Sequence, residues 1–442
     1  MRNQRHLTIG LSLTATWRKG IRPLDQAEVK ASSRGSMEFN LLLARMAEAA
    51  KLDFVFKPDF GGGAPAAGDG GAGRGARGSR PDGRTAHAAV GLDPMLMLTA
   101  LARETDRIGL VTTASTTFNP PYVVARQLQS LNWISNGRAG WNIVTSIDGA
   151  HNFGDEPMPS PEARYRRAAE FTDVVRALWN SHPYGALTGD GAATQINHKG
   201  EFFAVRGPLG IPMHPAGRIP LFQAGASDTG RDFAASVADA IFGSIPDLAS
   251  GVELRGDLRR RAAAKGRSPD DIRVLPGLYF FIADSREEAR ELHRLGHAHL
   301  GREKRLASVN SIVGLDIADL DDHDRVTAAM LPDPAAPVRS RTHADLLRRF
   351  IAENEPSVEQ LLARPEVVGS AHWVSVGTAD DIVRDIVAWR DAGAIDGIIA
   401  LPGGSWRSME LFFGEVMPRL AEMGLFRKEY EGATLGEHLG IR

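Results

Sequence analysis

Residues Leu131–Ser146 read LNWISNGRAGWNIVTS, and this stretch carries the clearest signal of the fold, a helix followed by a strand. Its first half ends a helix, and Gly137 stands at the C-cap, where glycine is favoured because it adopts the left-handed conformation without steric cost. Its second half, Gly140–Thr145, is a short apolar run that finishes in polar residues. A run of this kind directly after a helix predicts a buried strand of a parallel sheet.

The same alternation of helix and strand extends from this stretch to both ends of the chain. Amphipathic helices are predicted, for example, at Met37–Lys51 and Glu162–Asn180. Eight short apolar runs are predicted as buried strands: Leu7–Leu13, Asp53–Phe56, Ile108–Thr113, Gly140–Thr145, Pro220–Ala224, Ala240–Ser244, Val274–Ile282 and Gly397–Leu401. Eight βα units over 442 residues favour a closed (β/α)8 TIM barrel of the α/β class, and a doubly wound open sheet is the alternative.

Two segments interrupt the alternation. Residues Ser285–Val376 hold extra helical patterns and a proline-rich stretch, and we interpret them as an insertion on a single barrel domain that spans residues 1–442. Gly61–Gly83 is a low-complexity tract that cannot bury enough apolar surface to order itself. Its formal G-x-G-x-x-G motif does not join a strand directly to a helix, as a dinucleotide site requires. This flexible loop is interpreted as either an active-site lid or a tether.

The composition excludes several classes of chemistry. The chain has no cysteine, so it forms no disulfide, no thiolate metal site, no iron–sulfur cluster and no cysteine nucleophile. A net charge of -2 offers no basic footprint for nucleic acid. A membrane-spanning helix needs a run of about 18 apolar residues, and the sequence has none. We therefore expect a cytoplasmic protein without membrane or nucleic-acid partners.

The stretch from Leu131 resembles the pattern L-D-x-x-S-x-G-R-x-x-W-N-x-V-T-S, with Asn132 in place of the usual aspartate. That pattern is typical of the nitrilotriacetate, dibenzothiophene-sulfone and long-chain alkane monooxygenases, a family within the bacterial-luciferase-like superfamily. Further stretches match in the same order: IGLVTTASTTFNPPYVVARQLQSL from Ile108, HNFG from His151, RYRRAAEF from Arg164, Gly207–Ala235 and Asp396–Gly440. The resemblance therefore covers nearly the whole chain.

The resemblance implies a two-component, flavin-dependent monooxygenase. Enzymes of this kind bind reduced FMN noncovalently and receive it from a separate NAD(P)H-dependent flavin reductase. They use O2 to insert one oxygen atom into a small organic substrate. The resemblance also implies a homodimer or homotetramer, because barrels of this superfamily commonly pair through helices near the start of the chain. A flavin- or F420-dependent dehydrogenase on the same barrel and a noncatalytic flavin-binding protein are the alternatives.

Site residues follow from the resemblance position by position. Asp59 matches an aspartate at the end of the second strand, and Thr113 matches the threonine that closes the third. Asn142 and Thr145 match the end of the fourth strand, which faces the flavin ring and ribityl chain. His151, which follows the fourth strand, is the candidate catalytic residue, and a solvated loop histidine is its alternative interpretation.

A phosphate site is expected after the fifth strand. Tyr165 matches the tyrosine that reaches the flavin phosphate, and Gly225, Ala226 and Ser227 match the phosphate-binding turn. Physical chemistry supports this turn independently, because the helix that begins after it presents unpaired N–H groups and a positive dipole end. Ser227 also suits the N-cap of that helix, and one serine serves both roles.

Histidines elsewhere in the chain are expected to be structural. Family members carry a histidine in a W-R-H-P stretch near the first strand, whereas Trp17–Gly20 reads WRKG. His293, His297 and His299 lie on a predicted helix, and we expect them at the surface. A metal site would need further ligands and a supporting shell, so none is expected.

Overall fold

The computed structural model describes most of the chain. The described residues are 6–13, 37–59, 92–146, 149–154, 157–225, 227–298, 300–334, 336, 338, 341–369 and 371–441. The glycine-rich tract Gly61–Gly83 and the stretch Trp17–Gly20 lie outside them. The expectation of a flexible loop at the tract therefore stays a prediction.

Eight parallel strands close into a barrel. In the order of the chain they are β1 (Thr8–Ser12), β2 (Phe54–Lys57), β3 (Gly109–Ser115), β4 (Ala139–Val144), β7 (Leu221–Gln223), β8 (Ala240–Gly243), β9 (Arg273–Ile282) and β11 (Gly397–Pro402). Strand β9 pairs with both β8 and β11, and β11 pairs with β1, so the ring has no free edge. This closure confirms the (β/α)8 barrel and rules out the doubly wound sheet.

Helices surround the barrel and fill the segment before its last strand. Those that follow or precede barrel strands are α1 (Met37–Ala49), α2 (Pro94–Leu101), α3 (Pro121–Ile134), α4 (Pro161–Asn180), α5 (Asp228–Val237), α6 (Leu248–Ala264), α7 (Arg286–His297), α12 (Ala379–Asp391), α13 (Trp406–Leu411) and α14 (Met417–Glu422). The segment before the last barrel strand holds α8 (Arg302–Val313), α9 (Arg341–Asn354), α10 (Val358–Leu362) and α11 (Pro365–Val368). Helix α15 (Leu435–His438) follows that strand. Strands β5 (His198–Lys199) and β6 (Ala204–Val205) form an antiparallel hairpin.

The turn that joins α3 to β4 is built around a glycine and a buried arginine. Gly137 has φ 85°, and its N–H donates to the Asn132 carbonyl at 2.8 Å, as a C-cap glycine does. Arg138 is 3 % exposed, and its guanidinium donates to the carbonyls of Ala102, Thr105, Ile108 and Ser135. The arginine thereby ties the end of α2 to the start of β3 and β4.

The amino-terminal end of the barrel is closed by the C-terminal segment. Leu435 on α15 enters the interior against Phe54 and Phe222, whose rings meet edge to face at 5.0 Å. Side chains at Gly109 or Gly140 would approach Leu435 to 2.5 and 2.8 Å, so the plug needs glycine at both positions. Because this end is sealed, the carboxyl ends of the strands form the accessible face, where TIM barrels place their active sites.

The segment Ser285–Val376 holds α7 to α11 and the strand β10 (Trp373–Gly377) among its described residues. Strand β10 pairs with the carboxyl-terminal half of β9, from Leu278 to Ile282. Helices α8 to α11 surround an apolar cluster of their own, which includes Val309, Leu347 and Leu361. The segment therefore stacks on the carboxyl-terminal face of the barrel, beside the mouth.

Candidate active site

The mouth of the barrel begins above a pair of phenylalanines. Phe56 on β2 and Phe242 on β8 meet edge to face at 5.2 Å across the interior. Toward the amino ends of the strands, the interior is apolar. Toward the carboxyl ends, the strands present polar side chains on one side of the mouth and aromatic rings on the other. The two sides are described separately, as the polar wall and the aromatic wall.

The polar wall consists of Thr113 and Ser115 on β3, Asn142 on β4 and Ser146 after it. Thr113 and Asn142 are register partners, and the Asn142 Nδ2 donates to the Thr113 hydroxyl at 3.0 Å. Asn142 is 2 % exposed, and its Oδ1 has no hydrogen-bond partner among the described residues. A buried amide oxygen without a partner is costly, and a bound polar group would satisfy it.

The upper part of the polar wall is a row of hydroxyls held in place by the backbone. Ser115 and Ser146 share a hydrogen bond of 2.7 Å between their hydroxyls. The Thr117 hydroxyl donates to the carbonyl of Thr145 at 2.6 Å. Ser146 adopts a positive φ of 41°, an uncommon conformation for a residue with a side chain. Strain of this kind is stored preferentially at functional sites.

A pocket for an anion lies where β7 meets α5. Ser227 is the N-cap of α5, and its hydroxyl accepts from the Gly230 N–H at 3.2 Å. The hydroxyl of Tyr165 fills the space beside Gly225 and Gly230, so that a Cβ at those glycines would approach it to 2.5 and 2.7 Å. The Gln223 side chain accepts from the Gly225 N–H at 2.8 Å and holds the turn. A tyrosine hydroxyl, a serine hydroxyl and a helix N-terminus therefore meet in one place.

Arg164 connects this pocket to the polar wall. Its Nη1 donates to the carbonyl of Ser146, and it precedes Tyr165 on α4. The Nε of Arg164 is buried and has no hydrogen-bond partner among the described residues. Burial lowers the pKa of Arg164, yet an arginine keeps its charge under all ordinary conditions. The site thus holds a cation with an unused donor beside the proposed phosphate position.

The aromatic wall consists of Phe242 on β8, Tyr279 on β9 and His372, which precedes β10. The rings of Phe242 and His372 stack at 5.1 Å with an angle of 9° between them. The imidazole fills the space that a side chain at Gly277 would need, because a Cβ there would come within 2.6 Å of its Nδ1. Burial lowers the pKa of His372 to about 3, so the ring is neutral at physiological pH.

Comparison with known proteins places the chain in a family. The luciferase-like monooxygenase family matches residues 21–395, which is most of the chain. The chain belongs to this family. It is 36% identical over 412 residues to the nitrilotriacetate monooxygenase component A of Aminobacter aminovorans, covering 90% of this chain and 88% of that protein.

Two further relatives extend the comparison. The N-acetyl-S-(2-succino)cysteine monooxygenase of Bacillus subtilis is 34% identical over 445 residues, with 97% of this chain and 93% of that protein covered. The crystal structure of a riboflavin lyase with modified FMN and riboflavin superposes with a TM-score of 0.78 at 27% identity, over 99% of this chain and 96% of that one. These matches confirm the resemblance that the motifs indicate.

In this luciferase-like monooxygenase, the residues assigned from the sequence fall into three groups. Thr113 and Asn142 meet at the polar wall, the carbonyl of Thr145 accepts from the Thr117 hydroxyl beside that wall, and Tyr165, Gly225 and Ser227 meet at the anion pocket. Ala226 lies outside the described residues. Asp59 and His151 form a third group, since both are exposed, Asp59 beyond the end of β2 and His151 in a short turn. Their roles stay predictions.

The sequence reasoning missed several residues of the site. Arg164 and Ser146 stand inside the quoted family motifs, so attention to charge and hydroxyl groups there could have found them. No pattern pointed to Phe242, Tyr279 or His372, because each comes from a different part of the chain.

The expectation of surface histidines on α7 is wrong. His297 is 5 % exposed and packs against Phe281, and His293 also contacts that ring, at 4.9 Å. The helix turns these side chains toward β9 because α7 lies directly on that strand. His299 lies outside the described residues.

A cavity of about 580 Å³ lies beside the sealed amino-terminal end of the luciferase-like barrel. Its arginines already have structural partners: Arg218 pairs with Asp239 at 2.7 Å, and Arg176 and Arg267 donate to carbonyls at the end of α5. It lies away from the carboxyl ends of the strands, where catalytic groups of a TIM barrel stand. We therefore assign the chemistry to the mouth.

Two classes of site are not found in the part of the chain that the structure describes. There, no group of three or more His, Asp or Glu side chains is placed to hold a metal ion. Within the same residues, no helix combines the length and the apolar character needed to cross a membrane.

Proposed function

We propose that this protein is a two-component monooxygenase that binds reduced FMN noncovalently at the barrel mouth and inserts one oxygen atom of O2 into a small organic substrate. The observation that carries the proposal is the joint presence of two features on one face. One is the anion pocket of Tyr165, Gly225 and Ser227, and the other is the buried amide of Asn142 with an unsatisfied oxygen. FMN carries a phosphate and a polar ring edge, which suit these two features.

The fit of FMN follows from the donors that the chain supplies. A phosphate at the start of α5 would accept hydrogen bonds from the Ser227 and Tyr165 hydroxyls and from helix N–H groups. The Nε of Arg164 would add a charge-assisted hydrogen bond from the neighbouring side. Thr113, Asn142 and Thr145 would contact the ring and the ribityl chain. Asp59, Ala226 and His151 remain part of this proposal through the family resemblance.

The division of labour between cofactor and protein is simple. When bound, reduced FMN supplies the reaction with O2. The chain orients the flavin through Asn142 and the phosphate pocket, and the phenylalanine pair below the mouth excludes water from one side. Exclusion of water favours oxygen transfer to the substrate over loss as hydrogen peroxide.

A separate reductase belongs to the proposal. The curated relative from Aminobacter aminovorans is named component A, which indicates an enzyme of more than one component. Every G-x-G-x-x-G in this sequence lies in the glycine-rich tract, outside the context that a nicotinamide site requires. An NAD(P)H-dependent flavin reductase would therefore deliver reduced FMN, and a cytoplasmic location would give that reductase its NAD(P)H.

The experiment that tests the proposal combines the chain with an unrelated FMN reductase, NADH and labelled O2. We expect products of a substrate screen to gain one labelled oxygen atom, as measured by mass spectrometry. The chain alone should not oxidise NADH. Robust NADH oxidation without the reductase would contradict the two-component proposal, and oxidised product without the label would indicate a dehydrogenase.

We propose a homodimer or homotetramer on the same family grounds. Apolar side chains stand exposed on the first three helices, namely Leu42 on α1, Leu96 on α2 and Val123 on α3, with 45%, 73% and 41% exposure. Apolar side chains exposed on adjacent helices favour burial against another subunit. Light scattering at micromolar concentration should give a multiple of 47.7 kDa, and the mass of one chain would contradict this assembly.

A further inference from the structure

We propose that the aromatic wall of Phe242, Tyr279 and His372 is the substrate-binding side of the mouth, and that it binds a neutral, planar, apolar group. The inference rests on the proposed function, because it assigns the substrate class of that same site. It separates two kinds of substrate that occur among the relatives, flat neutral rings and polycarboxylates.

The first observation is where the barrel interior is accessible. Every residue of β9 is buried except Tyr279, and every residue of β8 is buried except Phe242. His372 is also only partly buried. Of the residues on β8 and β9, only these two rings are therefore accessible, and the His372 ring, stacked on Phe242, adds a third. Rings that remain accessible inside a concave site are the usual lining of a small-molecule pocket.

The second observation is how His372 is held. Its ring stacks on Phe242 and fills the space beside Gly277, where a Cβ would come within 2.6 Å of the His372 Nδ1 and of the Leu401 Cδ1. The Nδ1 atom is sealed from solvent and has no hydrogen-bond partner among the described residues. A backbone hydrogen bond with Gly243 engages the ring as well. The imidazole thus presents an aromatic surface to the mouth, and its sealed Nδ1 is not available for proton transfer.

The third observation is that further uncharged rings continue the wall from Tyr279 toward helix α7. Tyr279 meets Phe281 edge to face at 4.8 Å, and Phe281 meets His293 on α7 at 4.9 Å. Burial, together with the nearby His297 and Arg305, lowers the pKa of His293 to about 4. For His372, burial acts first and His343 on α9 acts in the same direction. Both imidazoles are therefore neutral at physiological pH.

The chemistry of this surface selects against polyanions. A carboxylate that moves onto an uncharged wall loses hydration, and it needs an arginine or lysine to replace that hydration. A planar apolar group instead gains contact with ring faces and edges, an interaction worth roughly 0.5–1.5 kcal/mol per pair, or about two- to tenfold in affinity. The wall therefore favours a flat neutral group over a tricarboxylate.

The test compares two probes, dibenzothiophene sulfone and nitrilotriacetate, on the full-length chain saturated with FMN. Dissociation constants are measured by titration calorimetry. We expect the neutral sulfone to bind at least about tenfold more tightly than the tricarboxylate. His372→Ala should weaken binding of the sulfone about two- to tenfold, and His372→Phe, which keeps a ring, should bind within about twofold of the original chain. FMN affinity should be unchanged in both variants.

A matched control is available in the chain. His214 packs against Trp133 at 4.8 Å near the opposite end of the barrel, so His214→Ala removes a comparable imidazole from elsewhere. This variant should bind the sulfone as the original chain does. Thermal unfolding of each variant checks that a change in affinity does not come from loss of the fold.

Three outcomes would overturn the inference. They are tighter binding of nitrilotriacetate than of the sulfone, equal sulfone affinity in His372→Ala and the original chain, and competition between the sulfone and FMN, which would place the flavin on this wall. Failure of the proposed function is separable. If the chain binds no FMN, that proposal fails, while the same titrations on the chain without FMN still test the wall.

Discussion

The two walls of the mouth differ in how they are built and in how they are encoded. The polar wall comes from neighbouring strands, β3 and β4, and its groups are linked by hydrogen bonds such as Asn142 to Thr113 and Ser115 to Ser146. The aromatic wall comes from β8, β9 and the residue before β10; the rings of Phe242 and His372 stack, and Tyr279 meets Phe281 edge to face. The difference suggests separate tasks, with cofactor binding on the polar side and substrate binding on the aromatic side.

The comparison also explains why the family motifs include residues of the polar wall but none of the aromatic wall. In the proposed function the polar wall binds the flavin, which presents the same phosphate and ring edge to every enzyme that binds it, so one set of residues serves that wall. A substrate-binding wall must change with the substrate, because specificity comes from pocket contacts rather than from the fold. Variants on the two sides should therefore have different effects.

The largest effect is expected at Asn142. Asn142→Leu keeps a similar volume but removes the buried amide, which has one donor on Thr113 and one oxygen without a partner. Removing a preorganised polar group from a catalytic site costs about a hundredfold or more in rate. Product formation with the reductase should fall by about that factor, measured with a substrate from the labelled-oxygen screen.

Thr112→Val is the control for Asn142→Leu. Thr112 precedes Thr113 on β3 and faces away from the mouth, and its buried hydroxyl has no hydrogen-bond partner among the described residues. Valine matches its shape and removes an unsatisfied group, so rate and stability should be maintained. If Thr112→Val lowers the rate as much as Asn142→Leu does, the effect comes from the strand and not from the amide.

The next largest effect is expected at the anion pocket. Ser227→Ala and Tyr165→Phe each remove one hydroxyl donor from the proposed phosphate site. Loss of one charge-assisted hydrogen bond costs roughly 1.5–3 kcal/mol, or about ten- to a hundredfold in affinity. FMN titrations followed by flavin fluorescence should show weakening in that range.

Riboflavin separates phosphate binding from a general effect on the pocket. It has the ring and the ribityl chain without the phosphate, so its affinity should barely change in either variant. Ser227→Ala also removes the N-cap of α5, which typically costs about 1 kcal/mol of stability. Equal losses of FMN and riboflavin affinity in both variants would show that these residues do not bind phosphate.

The barrel and the polar wall can be predicted from the sequence because their signals are local, whereas the aromatic wall gives no local signal. Each βα unit is local, so the apolar run Ile108–Thr113 and the glycine at 137 are legible within a few residues. Asn142 and Thr145 stand at the end of such a run, which places them at the mouth. Phe242, Tyr279 and His372 come to one side of the mouth only through the closure of the barrel and the return of the chain from α8 to α11. Nothing near His372 in the sequence shows that Gly277, 95 residues away, leaves space for its ring.

The smallest expected effect is on stability, and it tests whether the imidazole of the aromatic wall is neutral. Burial lowers the pKa of His372 to about 3 in the folded chain, against an ordinary value near 6.5 once unfolded. Between those values the unfolded state binds more protons than the folded state. The free energy of unfolding therefore falls as pH falls from 7 to 5, and this contribution is fully present only above pH 6.5.

His372→Phe removes the titrating group and keeps the ring contact with Phe242. Its free energy of unfolding should therefore depend less on pH than that of the original chain, by about 1–2 kcal/mol between pH 7 and pH 5. The lower part of this range allows for solvent screening, because the ring is partly accessible. Urea unfolding at several pH values between 5 and 7.5 measures the difference. Parallel curves for the two chains would mean that His372 takes up a proton in the folded state. The aromatic wall would then carry charge at low pH, and a substrate carboxylate could pair with it there.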